Sequence, residues 1–227
     1  MNQRYFFVNY KLELVASLEN AIEMTENLQN APVENVDVTT VIVPGVLDLA
    51  AVQDTFAHAF NVFAPHVDPI SPGKGTGFVP PALVWALGCE GTVLNHAEHK
   101  LKPDVLEKTV EMARALGLKI MICADSLEET TRVLQLKPDF IAYEPPELIG
   151  GDISVSTAKS EIVGQFAQMV QGSAIPIIGA GIKTKDDVVL SVELGAQGIF
   201  VASGVVKAGD PIVAFIELMS GFSPRKA

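Results

Sequence analysis

Eight short runs of apolar, β-branched and aromatic residues recur along the chain, each followed by a longer stretch whose apolar positions keep helical spacing. The runs are Tyr5 to Asn9, Val38 to Val43, Ala59 to Ala64, Gly91 to Asn95, Leu118 to Cys123, Asp139 to Glu144, Ile175 to Gly179 and Gly198 to Ala202. A strand that is apolar at nearly every position has both faces covered, as in a parallel sheet between helix layers. No linker, low-complexity stretch or internal repeat divides the 227 residues. The expectation is therefore an α/β fold with one domain over residues 1–227, its eight strand–helix pairs closed into a (β/α)8 barrel.

The intervening helices carry start and stop signals. Pro103 to Leu116 opens on Pro, places Val105, Leu106, Val110, Ala113 and Leu116 on one side, and stops at Gly117. Ser126 to Leu136 begins with the spacing of a capping box, Ser126 with Glu129, and ends before Pro138. Thr184 to Leu194 begins with a capping Thr followed by Asp186 and Asp187, which suit the positive end of a helix.

Charge narrows the partners. A net charge of -11 repels polyanions, which excludes nucleic acid and an anionic membrane surface as expected partners. No apolar run approaches the ~20 residues of a membrane span, and no basic leader precedes a long apolar stretch, so a cytoplasmic protein is expected. Cys89 and Cys123 both lie in apolar stretches and read as buried thiols rather than a disulfide.

In barrels of this kind the active site is built at the carboxyl ends of the strands. Those ends carry Asn9-Tyr10-Lys11, Asn95-His96-Ala97-Glu98, Glu144-Pro145-Pro146, Gly179-Ala180-Gly181 and Ala202-Ser203-Gly204. One cation, one imidazole, one carboxylate and two small-residue turns thus meet on one rim. Turns after the seventh and eighth strands often bind phosphate, because small residues expose backbone N–H groups and a short helix, here Ser203 to Lys207, points its positive end at the anion. Each residue also has a plainer reading. Lys11 could be a surface lysine, and Glu144 its structural ion-pair partner. His96 and His99 have the spacing of two metal ligands, but no further ligands can be placed, so no metal is expected. The Gly-containing stretch after Glu144 is either a lid or simply a long loop.

Taken together, these segments resemble the triosephosphate isomerase family in its short archaeal-type branch, from Val8 to about Val206. Val8-Asn9-Tyr10-Lys11 is similar to the family's Asn-aromatic-Lys motif. Gly91 to His99 resembles the archaeal segment with the catalytic histidine, and Ala142 to Gly150 resembles the strand with the catalytic base and the start of the lid. Gly179 to Ile182 and Val201 to Val205 resemble the archaeal phosphate turns. The resemblance implies a TIM barrel that interconverts D-glyceraldehyde 3-phosphate and dihydroxyacetone phosphate through an enediolate, in glycolysis and gluconeogenesis, with no cofactor and no metal. It implies Glu144 as base, His96 as electrophile, and Lys11 with Asn9 holding the substrate. It further implies Ile149, Gly150, Gly151, Gly181, Ala202, Ser203 and Gly204 as substrate or phosphate contacts. Gly73 to Gly77 resembles the loop that enters a neighbouring subunit, which implies a homo-oligomer, a dimer at least and by analogy a tetramer, with Thr76 near the partner's site. In place of the family's Thr-Gly after the first lid glycine, this chain has Gly151-Asp152, and Pro65 stands where Gln is common. The alternatives are another phosphate-binding barrel enzyme, or a family member kept as a non-catalytic interaction protein.

Overall fold

Phe7 and its neighbours Phe6 and Val8 lie on opposite faces of the first strand. Phe7 packs with Phe63, Phe140 and Phe200 in one apolar cluster, whereas Phe6 and Val8 belong to another cluster, shared with the surrounding helices. That alternation is the period of two that every strand obeys, and it builds two cores on the two faces of one sheet. A computed structural model describes residues 3–33, 37–148 and 154–223.

The strands are β1 (Arg4–Asn9), β2 (Val38–Val43), β3 (Asn61–Ala64), β4 (Gly91–Leu94), β5 (Lys119–Ala124), β6 (Phe140–Tyr143), β7 (Ile175–Gly179) and β8 (Gly198–Val201). The helices are α1 (Glu19–Gln29), α2 (Leu49–Phe56), α3 (Pro81–Ala86), α4 (Pro103–Ala115), α5 (Leu127–Leu134), α6 (Val155–Ala158), α7 (Ser160–Val170), α8 (Lys185–Glu193), α9 (Ser203–Val206) and α10 (Pro211–Ser220). Each strand pairs in parallel with the next, and β1 also pairs with β8 through Tyr5↔Gly198 to Val8↔Val201. The sheet is therefore a closed barrel of eight strands, and closure leaves no unpaired sheet edge. All eight expected strands form, although Ala59 and Phe60 fall before β3 rather than in it.

Inside the barrel, Phe7 meets Phe140 edge-on with ring centroids 5.2 Å apart and Phe63 at 5.5 Å. Outside it, Phe6 stacks on Phe215 of α10 at 5.1 Å, and Tyr10 reaches the Thr25 hydroxyl of α1 at 2.8 Å. Each buried ring contributes roughly 1.5–3 kcal/mol, so the two layers hold the strand ends in fixed relative positions. Cys89 and Cys123 are both buried free thiols. Among the described residues no helix is long and apolar enough to cross a membrane.

The caps follow the sequence with one exception. Thr184 forms a full capping box with Asp187 at the start of α8. At α5, Ser126 Oγ accepts the Glu129 N–H at 3.2 Å, but the Glu129 carboxylate accepts from the Asp125 N–H at 2.9 Å, one residue before the cap. Only half of the expected Ser126–Glu129 box is present, because that carboxylate is engaged elsewhere.

Candidate active site

The carboxyl ends of β1, β4, β6, β7 and β8 enclose a cavity of about 210 Å³ bounded by Asn9, Lys11, His96, Glu98, Glu144, Gly181, Phe200, Ala202, Ser203 and Gly204. Among the described residues, three of the five non-glycine residues with positive φ sit at these ends: Lys11 (52°), Asn95 (61°) and Ala180 (75°). Left-handed backbone costs an ordinary residue roughly 1–2 kcal/mol, so the surrounding fold holds these bends against their local preference.

At β1, the Asn9 Oδ1 accepts the Lys11 N–H at 3.0 Å and turns the chain, which brings the Lys11 side chain over the cavity. Lys11 Nζ pairs with Glu98 at 2.7 Å. The expected alternative partner was Glu144, and the ion pair is instead with the carboxylate two residues after His96.

At β6 the ladder runs one residue beyond the strand, because the Glu144 N–H donates to Ala124 O at 2.9 Å. The Glu144 side chain is therefore fixed at its root. Burial pushes its carboxyl above the ordinary value, while the neighbouring His96, a hydrogen bond from the Cys123 thiol and the Lys11 cation pull the other way. Burial beside Glu144 also drives the Cys123 thiol well up, which keeps it protonated as a donor. Glu144 Oε2 is buried and has no hydrogen-bond partner among the described residues.

His96 follows β4. Its Nδ1 accepts the Glu98 N–H at 3.2 Å, which requires Nδ1 to be unprotonated and assigns the ring proton to Nε2. Nε2 lies 3.6 Å from Glu144 Oε2, too far for a hydrogen bond, so the two groups face each other across a gap. His99 does not join it. Its ring packs against His66 with centroids 4.2 Å apart, and among the described residues no group of three or more His, Cys, Asp or Glu could hold a metal.

At β7 and β8 the two small-residue turns come together. Gly181 has φ 70°, the Ala180 carbonyl accepts the Val155 N–H at 3.1 Å, and α9 begins at Ser203. A Cβ on Gly204 would overlap the Ile182 carbonyl oxygen, so glycine is what lets α9 approach the β7 turn. Lys207, just past α9, also lines the cavity and pairs with Glu13 at 2.6 Å. Both lysines at the mouth are thus held by carboxylates.

Asn9, Lys11, His96, Glu144, Gly181, Ala202, Ser203 and Gly204 therefore line one cavity. Thr76 is exposed on the loop between β3 and α3, away from it, and Ile149, Gly150 and Gly151 lie outside the described residues. The sequence reading missed Glu13, Lys207 and Cys123 as neighbours of the site. Glu13 could have been suspected, since it stands two residues after Lys11 at the same strand end.

The family model described as triosephosphate isomerase matches residues 5–221. A curated triosephosphate isomerase of Thermoplasma volcanium is 43% identical over 209 residues, covering 90% of this chain and 94% of its own. That of Methanobrevibacter smithii is 34% identical over 223 residues, with 97% and 99% covered. That of Archaeoglobus fulgidus is 36% identical over 215 residues, with 93% and 95% covered.

Proposed function

The chain belongs to the triosephosphate isomerase family, and from that premise we propose that it interconverts D-glyceraldehyde 3-phosphate and dihydroxyacetone phosphate with Glu144 as base and His96 as electrophile. The observation that carries the assignment is the unpartnered, buried Glu144 Oε2 facing His96 Nε2 across 3.6 Å. A carboxylate with one oxygen left unpartnered, pushed toward a higher pKa by burial, is poised to take a proton.

Glu144 removes the proton from the carbon next to the carbonyl. The C–H electron pair becomes the new carbon–carbon double bond, and the carbonyl pair moves onto oxygen. His96 donates its Nε2 proton there, and Lys11 and Asn9 stabilise the negative charge. Return of the proton from Glu144 to the adjacent carbon, on the same face, completes the isomerisation as the hydroxyl on the other carbon gives its proton back to His96 Nε2 and becomes the new carbonyl. The phosphate is held by N–H groups at Gly181, Ala202, Ser203 and Gly204, where two turns of small residues leave the backbone open to an anion. Ile149, Gly150 and Gly151 act as the lid that excludes water, since an exposed enediolate phosphate loses its phosphate. None of these steps calls for a cofactor or a metal.

The same reading makes residues 1–227 one domain of a cytoplasmic enzyme that works as a homo-oligomer, at least a dimer. An apolar hollow of about 480 Å³ lies beside the active site, bounded by Leu12, Val46, His66, Phe78 and His99 and sharing Asn9, Lys11 and His96 with it. In that oligomer the exposed loop around Thr76 of a second copy is the segment proposed to meet this hollow. A coupled assay of glyceraldehyde 3-phosphate conversion tests the function. Efficient turnover by the wild type, lost in Glu144→Gln, supports it, and absence of turnover by the wild type overturns it.

A further inference from the structure

We propose that Glu129 is a positioning residue for His96, acting through Asn95 and Lys100 at the two ends of the segment that carries the imidazole. The proposal rests on the reading of His96 as the electrophile.

His96 stands one residue after Asn95, whose backbone is left-handed at φ 61° and whose side chain is buried. Every polar group of that side chain is engaged. Nδ2 donates to Cys123 O at 2.9 Å and to Glu129 Oε1 at 3.0 Å, and Oδ1 accepts the Leu101 N–H at 3.1 Å. The other Glu129 oxygen accepts from Lys100 Nζ at 2.5 Å and from the Asp125 N–H at 2.9 Å. Lys100 also reaches Asp125 Oδ2 at 3.0 Å, and Arg132 stands 3.5 Å from Glu129 Oε1. One carboxylate on α5 thus fastens the segment from residue 95 to residue 101 at its beginning and near its end. His96 and its Glu98 N–H contact lie between those two fastenings.

A buried carboxylate is costly unless its charge and lone pairs are met, and here both are. The sequence supplies Glu129 with a cheaper local task, the reciprocal bond of a capping box with Ser126. The structure forgoes that bond and sends the carboxylate toward the histidine-bearing segment instead. Local rules are broken where another requirement outweighs them, and orientation of the catalytic imidazole is the requirement in reach. Imidazole Nε2 must stay within hydrogen-bond distance of two substrate oxygens in turn, so a shift near 1 Å is expected to cost far more rate than affinity.

The test is Glu129→Gln, which keeps an oxygen for Asn95 and removes the charge that holds Lys100. The expected result is kcat lower by about tenfold or more with KM within about twofold. Binding of orthophosphate should be unchanged, and the His96 ring nitrogen resonances should shift without substrate. Asn95→Gly, which tolerates the left-handed backbone but deletes the amide, should lose a similar factor, and the double variant should lose little more than either. Lys100→Met carries the same expectation if Glu129→Gln does not fold. Unchanged kcat and unmoved His96 resonances overturn the proposal, as do multiplying losses in the double variant or parallel loss of phosphate binding. His96→Gln run alongside separates the two levels. If that variant keeps wild-type turnover, the electrophile assignment fails, whereas if it alone loses turnover, only the role of Glu129 fails.

Discussion

Gly179 on β7 leaves the space that the Glu144 carboxylate on β6 occupies. A Cβ built on Gly179 would lie 2.6 Å from both Glu144 Cγ and Oε1, closer than such atoms approach in proteins. Besides the phosphate role proposed for the β7 turn, its first glycine sets where the Glu144 carboxylate can stand. Gly179→Ala should fold, since the strand backbone is unaffected, but it should push the carboxylate out of line. Turnover should fall by about 10²-fold. Steady-state kinetics with a thermal melt decide the matter, and wild-type kcat in a folded variant removes the steric assignment.

Shortening the base should act similarly from the other side. Glu144→Asp withdraws the carboxylate by roughly 1 Å, and a loss of about 10²-fold or more in turnover is expected with an unchanged fold. Retained wild-type turnover would mean that Glu144 is not the base.

The raised pKa of Glu144 also fixes a stability difference. Burial favours the protonated form in the folded state, so the folded pKa lies above the unfolded one. Such a group contributes stability fully below the unfolded value, ~4.3 for glutamate, and that contribution is lost as pH rises through the folded value. At neutral pH the ionised carboxylate therefore weakens the fold. Glu144→Gln, always neutral, should melt higher than wild type at pH 8, with the gain shrinking toward pH 4. The acid limb of the wild-type kcat/KM profile should fall above the ordinary glutamate value. Equal melting at both pH values would contradict the burial-driven shift.

Lys11 is nearly covered, with 18% of its side chain exposed, whereas its partner Glu98 is 57% exposed. An exposed partner contributes little, so Glu98→Gln should change stability by less than about 1 kcal/mol. Lys11→Ala should instead raise KM and lower kcat together, with kcat/KM down by about 10²-fold, if, as proposed, the cation meets both the phosphate and the developing oxyanion. A Lys11→Ala variant with wild-type kinetics would identify a surface lysine.

What the sequence disclosed and what it withheld differ in kind. The eight strands were legible because parallel strands covered on both faces need continuous apolar runs, and Phe6 to Val8 fill two cores from consecutive positions. Lys11, His96 and Glu144 could be singled out because each follows a strand at the barrel rim. The partners of these residues could not be read in the same way. Lys11 with Glu98 and Asn95 with Glu129 join residues 87 and 34 positions apart, and only tertiary folding, across the barrel mouth for the first pair and between the neighbouring β4 and β5 units for the second, brings them together. The diversion of Glu129 from its cap shows the limit most directly, because its local spacing favoured the bond that the structure gives up.

The proposed phosphate end of the site rests on the approach of α9 to the β7 turn, and Gly204 is the residue that permits it. A side chain at Gly204 meets the Ile182 carbonyl oxygen, a backbone atom that cannot rotate away, and then Val201 Cγ1 at 3.0 Å. Gly204→Ala should therefore move α9 outward and carry the N–H groups near Ser203 away from Gly181. The loss should fall on binding of the phosphate in ground state and transition state alike, which raises KM without a matching change in kcat. An increase of about tenfold in KM, equivalent to ~1.4 kcal/mol, is expected, with an equal weakening of competitive inhibition by orthophosphate. Amide NMR titration with orthophosphate should place the affected resonances at Gly181 and Ser203 in the wild type and lose them in the variant. Perturbations confined to other faces of the barrel, or a KM within twofold of wild type, would remove the phosphate from these turns.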